Sequence, residues 1–278
     1  MLVSKVSVLT LTKNRTVHLR NLLIGLSLSS RLPDECIVVH MNEPARTVGD
    51  WKFPCKHLTY ENADISLPLT GARNAAAKYA TGNLLLFLDV DCIPAKTMVS
   101  MYKKAFEQIP GAIAMGNVHY LPQKIFSNWT EQSLREQSAP HPKRDVSELA
   151  SLSKEENYGL FWSLSFALSR TLFEQLGGFS DCYPSYGAED TDFAWKAREQ
   201  GVDLRWVPEA LAFHQFHTSV VPPWHNFKSI VYNAKIFYQR WGEWPMGGWL
   251  DTFAKQGYIN WSMEGDRLEV IQVPAQAQ

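Results

Sequence analysis

The stretch from Leu84 to Pro94, LLLFLDVDCIP, limits what this chain can fold into more than any other. Its five uninterrupted apolar residues are too few to span a bilayer, and Gly82 and Pro94 bracket them. A strand buried on both faces of a parallel sheet fits that run. Side chains alternate along a strand, so Asp89 and Asp91 are expected on one side and Val90 on the other. Open α/β sheets bind ligands beyond the carboxyl ends of their strands, where this Asp-Val-Asp would be presented. Two hard oxygen donors there suit Mg²⁺ or Mn²⁺ shared with a phosphate-bearing substrate. A polar strand end is the plainer alternative, because Asp-x-Asp is a common pattern.

The segments before this strand read as βα units. Val6 to Leu11 is β-rich and runs into the polar Thr12-Lys13-Asn14-Arg15, and His18 to Leu28 carries apolar residues at helical spacing. Cys36 to His40 is a second strand, ending in Met41-Asn42-Glu43-Pro44. After a weak strand near Lys56 to Tyr60, Thr70 is the expected N-cap of an alanine-rich helix and Gly82 its C-terminal stop. Arg73 then falls in the first turn, where the helix dipole disfavours a cation; either an anion lies nearby or the side chain is solvated. Pro94 to Ile109 reads as a proline-led helix and Ala112 to Tyr120 as a strand. From 123 to 158 the chain turns polar and charge-mixed, an excursion from the sheet that serves as a substrate lid or a loop.

The second constellation is Tyr183 to Gly201, YPSYGAEDTDFAWKAREQG. On a helix, Asp190, Phe193, Ala194 and Ala197 share one face, whereas Asp192, Lys196 and Glu199 share a solvated one. An inward carboxylate is either a cap or a working group, since acids facing a core are costly. Asp203 to Val207 and Ala210 to Phe213 read as short strands around Pro208, followed by His214-Gln215-Phe216-His217. Beyond Pro222-Pro223, Trp224, Trp241, Trp244, Trp249 and Trp261 crowd a tail with helical periodicity from Phe227 to Trp241 and a terminal hairpin. That helix is expected to pack on the sheet; a peripheral membrane surface or an aromatic sugar platform is the alternative.

Composition narrows the function. The 278 residues are 45% hydrophobic and 20% charged, with a net charge of −1, so nothing electrostatic points to nucleic acid. No signal peptide or membrane span is evident, and Cys36, Cys55, Cys92 and Cys182 form no C-x-x-C pair. Reduced thiols and a cytoplasmic location, with association at the inner membrane face as an option, are the expectation.

Taken together, VSVLTLTKNR, LTGARNAAAKYATGNLLLFLDVDCIP, FALSRTLFEQLGGF, GAEDTDFAWKAREQG and ALAFHQFH resemble the ordered motifs of family-2 glycosyltransferases with the GT-A fold. The likeness includes the galactosyltransferase and N-acetylgalactosaminyltransferase branch with its G-x-E-D motif, and covers Val3 to His217. It implies an α/β chain with a central mixed, mostly parallel sheet flanked by helices, residues 1–217 forming the transferase domain and 218–278 a Trp-rich extension. The roles implied are these. Asp91 and His214 hold Mn²⁺ or Mg²⁺, with His217 the less favoured ligand, and Asp89 contacts ribose or uridine. Asp190 takes the acceptor proton beside the acceptor-binding Glu189. Thr10, Thr12, Asn42 and Arg73 lie where the family holds the nucleotide. The partners implied are a nucleotide-sugar, UDP-linked by the family's commonest choice, and a glycan or other hydroxyl acceptor. One departure bears on the nucleotide: the family's Asp-Asp or Asp-Gly after the second strand is here His40-Met41-Asn42-Glu43.

Two other readings compete. A haloacid-dehalogenase-type phosphatase also opens on a hydrophobic strand and Asp-x-Asp, but there the strand comes first in the chain. A module that binds nucleotide-sugar or glycan without turnover would have no need of both Asp91 and Asp190.

Overall fold

The computed structural model describes residues 5–65, 67–126, 128–218 and 220–277; Val3, where the family resemblance begins, lies outside them. Two strand–helix–strand units open the chain: β1 (Val6–Thr12), α1 (Thr16–Ser27) and β2 (Glu35–Met41), then β3 (Cys55–Tyr60), α2 (Leu69–Tyr79) and β4 (Leu84–Leu88). They are followed by β5 (Cys92–Pro94), α3 (Met98–Gln108) and β6 (Ile113–Tyr120). The polar excursion contributes α4 (Glu131–Gln137) and two short strands, β7 (Ala139–Pro140) and β8 (Lys154–Glu155). The chain then returns through β9 (Ser165–Ser169), α5 (Arg170–Gln175), α6 (Glu189–Glu199) and β10 (Leu204–His214). The tail adds α7 (Phe227–Trp241), α8 (Gly247–Lys255) and the hairpin β11 (Ile259–Trp261) with β12 (Leu268–Val270).

The strands form one sheet in the order β3-β2-β1-β4-β9-β6-β10-β5. The pairs β3/β2, β2/β1, β1/β4 and β6/β10 are parallel, whereas β9 and β5 run against their neighbours. All five residues of β4 are buried, as a strand covered on both faces requires. Apolar clusters fill both sides of the sheet: Phe87, Phe166, Phe179 and Phe193 gather on one, and Leu22, Leu26, Val99 and Tyr102 on the other. Alpha-1 can approach the second side closely because Gly25 has no side chain; a Cβ there would stand 2.8 Å from Pro94 Cδ.

Several local expectations are corrected. Pro94 starts no helix: it closes β5, which pairs antiparallel with β10, and α3 begins at Met98. A single strand spans Leu204–His214, its register interrupted between Val207 and Leu211 around Pro208. Pro68 rather than Thr70 caps α2, which ends at Ala80; Thr70 is inside the helix and buried. Gly82 lies beyond that cap, packed so tightly on β1 that a Cβ would meet Lys5 O at 2.6 Å. The excursion is structured in part, with β7 on the end of β6 and β8 on the start of β10.

The C-terminal residues form an apolar cluster of their own around Phe227, Ile230, Leu250 and Phe253. A second cluster, containing Tyr183, Ala188 and Phe237, joins α7 to the start of α6. Among the described residues, no helix is long and apolar enough to cross a membrane.

Candidate active site

Carboxyl ends of β1, β2, β4, β6 and β10 converge on one edge of the sheet, and the singled-out residues cluster there. Asp89 and Asp91 are not on β4 itself. They sit in a tight turn between β4 and β5, closed by the Cys92 N–H donating to Asp89 O at 2.8 Å. Strand alternation therefore does not aim them; the turn does. Gln215, buried at the end of β10, fixes it: its N–H donates to Asp91 O at 2.6 Å, and its carboxamide accepts from Asn21 and donates to His18 O. This buried glutamine carried no recognisable pattern in the sequence.

Around Asp91 the structure gathers two histidines instead of one. Asp91, His214 and His217 each offer a ligand atom, all within 4.8 Å of one another. His217 Nε2 lies 3.5 Å from Asp91 Oδ2, so the less favoured histidine stands beside the same carboxylate as His214. His18 Nε2 and Arg15 Nε add a half-shell at 3.7 and 3.8 Å from Asp91 Oδ1, which is buried and has no hydrogen-bond partner among the described residues. The His214 ring stacks on Tyr120 with centroids 4.7 Å apart. Burial, only partly opposed by Asp91, pushes its pKa down to about 4, so the imidazole is neutral and free to donate a lone pair. An orphaned carboxylate oxygen beside the imidazoles of His214 and His217 is a donor set that suits a divalent cation such as Mn²⁺.

The second acidic group is the start of α6. Ala188 caps it in the left-handed region, after Gly187 at φ +104°. Gly187 is required there by its φ, which is unfavourable for L side chains, and a Cβ would also press on Met246 Sδ at 3.0 Å. Glu189 is buried, one oxygen accepting from the Gly187 N–H at 2.9 Å and the other from Arg73 Nη1 at 3.2 Å. Arg73 is thus no solvated side chain; it also donates to Ser163 Oγ at 2.8 Å. Asp190 is half-buried and accepts from the Thr191 N–H at 2.8 Å. Desolvation, then the charge of Glu189, raises its pKa to about 6 against the pull of Arg73. Desolvation likewise raises Asp89 to about 7, with Arg73 opposing and Asp91, Glu189 and Asp190 adding to the rise. Asp89 is therefore within electrostatic reach of both constellations.

The outer face expected for α6 is wrong at Asp192. Its side chain is fully buried and accepts from Ser180 Oγ at 2.5 Å, Tyr183 OH at 3.0 Å and Trp241 Nε1 at 2.9 Å, with Arg240 Nε at 3.2 Å. Lys196, its expected i,i+4 partner, lies 3.9 Å from Asp192 Oδ2 and also donates to Gly178 O at 2.8 Å. Asn233, also fully buried, reaches from α7 to the loop before α6, donating to Gly187 O at 2.7 Å and to Pro184 O and Tyr186 O at 3.3 Å each. The Tyr186 ring stacks against Trp249 of α8, and the charges of Glu189, Asp190 and Asp89 act on its hydroxyl.

The nucleotide-side residues occupy the neighbouring strand ends. Thr10 and Thr12 are buried, and Thr10 Oγ1 has no partner among the described residues. Asn42, at φ +50°, accepts from the Asn62 N–H and donates to Ile65 O, each at 2.7 Å, tying the loop after β3 to the end of β2. In place of an acidic pair, the β2 loop presents a relay in which His40 contacts Glu43 at 3.2 Å and His57 at 3.0 Å.

A mostly parallel α/β sheet thus carries an Asp-x-Asp turn at its carboxyl edge, and a helix with an acidic start precedes its strand β10. Residues 7–177 match glycosyl transferase family 2, and residues 145–218 match the N-terminal domain of galactosyltransferase. The chain belongs to glycosyl transferase family 2. No curated protein matches it by sequence. Among solved structures, GalNAc-T7 with UDP, GalNAc and Mn²⁺ is similar at a TM-score of 0.55 and 16% identity, over 85% of this chain and 50% of that one. S. aureus TarS 1-349 in complex with UDP-GlcNAc is similar at 0.53 and 17%, over 78% of this chain and 60% of that one. The chain thus spans 37% of the full TarS structure and half of GalNAc-T7.

Proposed function

We propose that this chain is a metal-dependent, inverting hexosyltransferase that moves a sugar from a UDP-linked donor to an acceptor hydroxyl. The observation that carries this reading is the grouping of Asp91, His214 and His217 within 4.8 Å, with Asp89 electrostatically linking it to Glu189 and Asp190. GalNAc-T7, similar in fold, was crystallised with UDP and Mn²⁺, and TarS with UDP-GlcNAc.

In this reading Asp91, His214 and His217 hold Mn²⁺ or Mg²⁺, which when bound supplies positive charge to the donor diphosphate. Asp89, Thr10, Thr12 and Asn42 line the nucleotide side, Thr10 with an oxygen to spare for a base or ribose. Glu189, anchored by Arg73, offers little freedom of its own and acts as the acceptor's fixed neighbour. Asp190 accepts the acceptor proton as its oxygen attacks the anomeric carbon from the face opposite the leaving diphosphate, which inverts that centre. A carboxylate raised to about 6 is ionised at neutral pH yet a better base than an ordinary aspartate, and such assistance is worth about 10²–10⁴-fold. Residues 218–278 serve in this account as a brace behind the base.

The test is a thermal-shift panel of nucleotide-sugars with Mn²⁺, followed by product analysis by NMR. Stabilisation by a UDP-sugar and a product of inverted anomeric configuration are expected. Retention of configuration, or equal stabilisation with and without the metal, would overturn the reading.

A further inference from the structure

Side chains of β2, β3 and the loop after β2 form a proton relay that the transfer chemistry does not use. Cys55 opens β3, the outermost strand of the sheet, and is partly exposed. Its Sγ lies 3.5 Å from His57 Nε2, His57 Nδ1 lies 3.0 Å from His40 Nε2, and His40 Nδ1 lies 3.2 Å from Glu43 Oε1. The far end of the row decides where its protons sit. A carboxylate only accepts, so Glu43 holds the His40 proton on Nδ1. Burial lowers the pKa of His40, and its Nε2 keeps a lone pair, toward which the Arg46 N–H also points at 3.5 Å. His57 must then donate from Nδ1, which leaves its Nε2 to take the thiol proton of Cys55. Nucleophile, base and orienting group thus stand in the order that activates a sulfur.

A second thiol stands across the ladder. Cys36 on β2 is fully buried and is the register partner of Cys55. Neighbouring strands lie about 4.8 Å apart, inside the Cα separation of roughly 4.4–6.8 Å that a disulfide spans. Hydrogen bonding from the Cys36 thiol, with His57 adding to it, outweighs burial and brings the pKa of Cys55 down to about 6. That same hydrogen bond, together with burial, pushes Cys36 up, so it stays a thiol.

We propose that Cys36 and Cys55 are a dithiol oxidised by hydroperoxides, with Cys55 the attacking sulfur, His57 its base and Cys36 the resolving thiol. The Cys55 thiolate attacks one oxygen of the hydroperoxide and the O–O bond breaks. The sulfur becomes a sulfenic acid, and the departing alkoxide or hydroxide takes the proton held on His57. The Cys36 sulfur then attacks that of Cys55, the S–O bond breaks, and the Cys36 proton leaves with the hydroxide as water. Two thiols are oxidised to one disulfide, and the hydroperoxide is reduced to an alcohol or water. Neither step needs the nucleotide or the metal, so this site stands apart from the transferase reading.

The reduced full chain is treated with hydrogen peroxide near neutral pH, its cysteines are read by peptide mass spectrometry, and circular dichroism reports the fold. We expect the loss of two hydrogens as a Cys36–Cys55 bridge in the folded protein, with Cys92 and Cys182 still reduced. In Cys36→Ser the resolving thiol is gone, and dimedone traps a sulfenic acid on Cys55. His57→Gln slows the oxidation of Cys55 by about tenfold or more, whereas Cys182→Ser leaves it unchanged. Should His57→Gln fail to fold, competition within the wild-type chain decides: Cys55 loses its thiol to peroxide about tenfold faster than the exposed Cys182. No bridge in the folded chain, a bridge that forms only in urea, a sulfenic acid on Cys182 rather than Cys55, or a wild-type oxidation rate in His57→Gln would overturn the proposal.

Discussion

The two walls of the pocket are held by different means. On the Asp91 side a turn of a few residues is fixed from within the sheet, through Gln215 at the end of β10 and Asn21 and His18 on α1. On the Asp190 side a left-handed loop, strained at Ser185 and Ala188, is braced from α7 by Asn233, while Trp241 holds Asp192 of α6. Those braces lie beyond residue 218, where the family matches end. A short turn inside a sheet has few alternatives, so local hydrogen bonds suffice. A loop with consecutive left-handed residues costs about 1–3 kcal/mol at each non-glycine position and persists only when its surroundings over-determine it.

The largest test of this contrast separates chemistry from binding. Asp190→Asn is expected to lower kcat by about 10³-fold, the size of a lost general base, while Mn²⁺-dependent UDP affinity measured by calorimetry stays near wild type. Next in size, Asp91→Ala should abolish the metal dependence of UDP binding and weaken it by about 10²-fold, because a charge-bearing ligand is lost from the set. Tight, Mn²⁺-dependent UDP binding by Asp91→Ala would detach the metal from that wall. Equal damage to UDP affinity from both variants would mean that the walls do not divide the work.

The sequence made the Asp91 wall more legible than its partner, for a physical reason. An apolar run followed at once by carboxylates is a local signal, and the order and spacing of the strands around it fix the edge at which it emerges. What sequence could not give was the means of presentation, since a strand that stops at Leu88 and one that continues through Asp91 carry the same residues. The histidines illustrate a related limit: the family resemblance favours His214, but the strand ends there and the chain continues so that His217 reaches the same carboxylate. On the other wall, Asp192 and Lys196 at i,i+4 imitate a solvated face. The partners that bury Asp192, among them Tyr183, Arg240 and Trp241, come from segments whose approach no helical wheel records. Arg73 was legible as an anomaly, a cation where the dipole disfavours one, and Glu189 accounts for it.

Loosening the brace without touching either acid gives a smaller effect. Asn233→Asp replaces the donor facing the carbonyls of Pro184, Tyr186 and Gly187 with an acceptor, so the loop must shift. Misplacement by about 1 Å can cost on the order of 10²-fold, and we expect a kcat loss of about tenfold to 10²-fold with UDP affinity preserved, partly recovered in Asn233→Gln. A variant that loses UDP affinity in proportion would show that α7 supports the whole fold rather than one wall.

The smallest expected effect lies in the pH profile, and it tests the environment of Asp190 rather than its presence. Groups acting on this carboxylate are Glu189 beside it, Arg73 from α2, Asp89 from the turn after β4, Arg144 from the excursion, and the Tyr186 hydroxyl from the preceding loop. Burial, then Glu189, raises its pKa to about 6. A general base works only when deprotonated, so kcat should climb about tenfold per pH unit below 6 and level off above it, with little change between pH 7 and 8. Glu189→Gln removes the neighbouring negative charge, which lowers the pKa of Asp190, so the acid limb should move to lower pH even as the plateau falls. In Asn233→Asp, a loop opened to water would move the limb the same way, because desolvation is the largest cause of the raised value. A limb that stays near 6 in both variants would mean that the group titrating there is not Asp190.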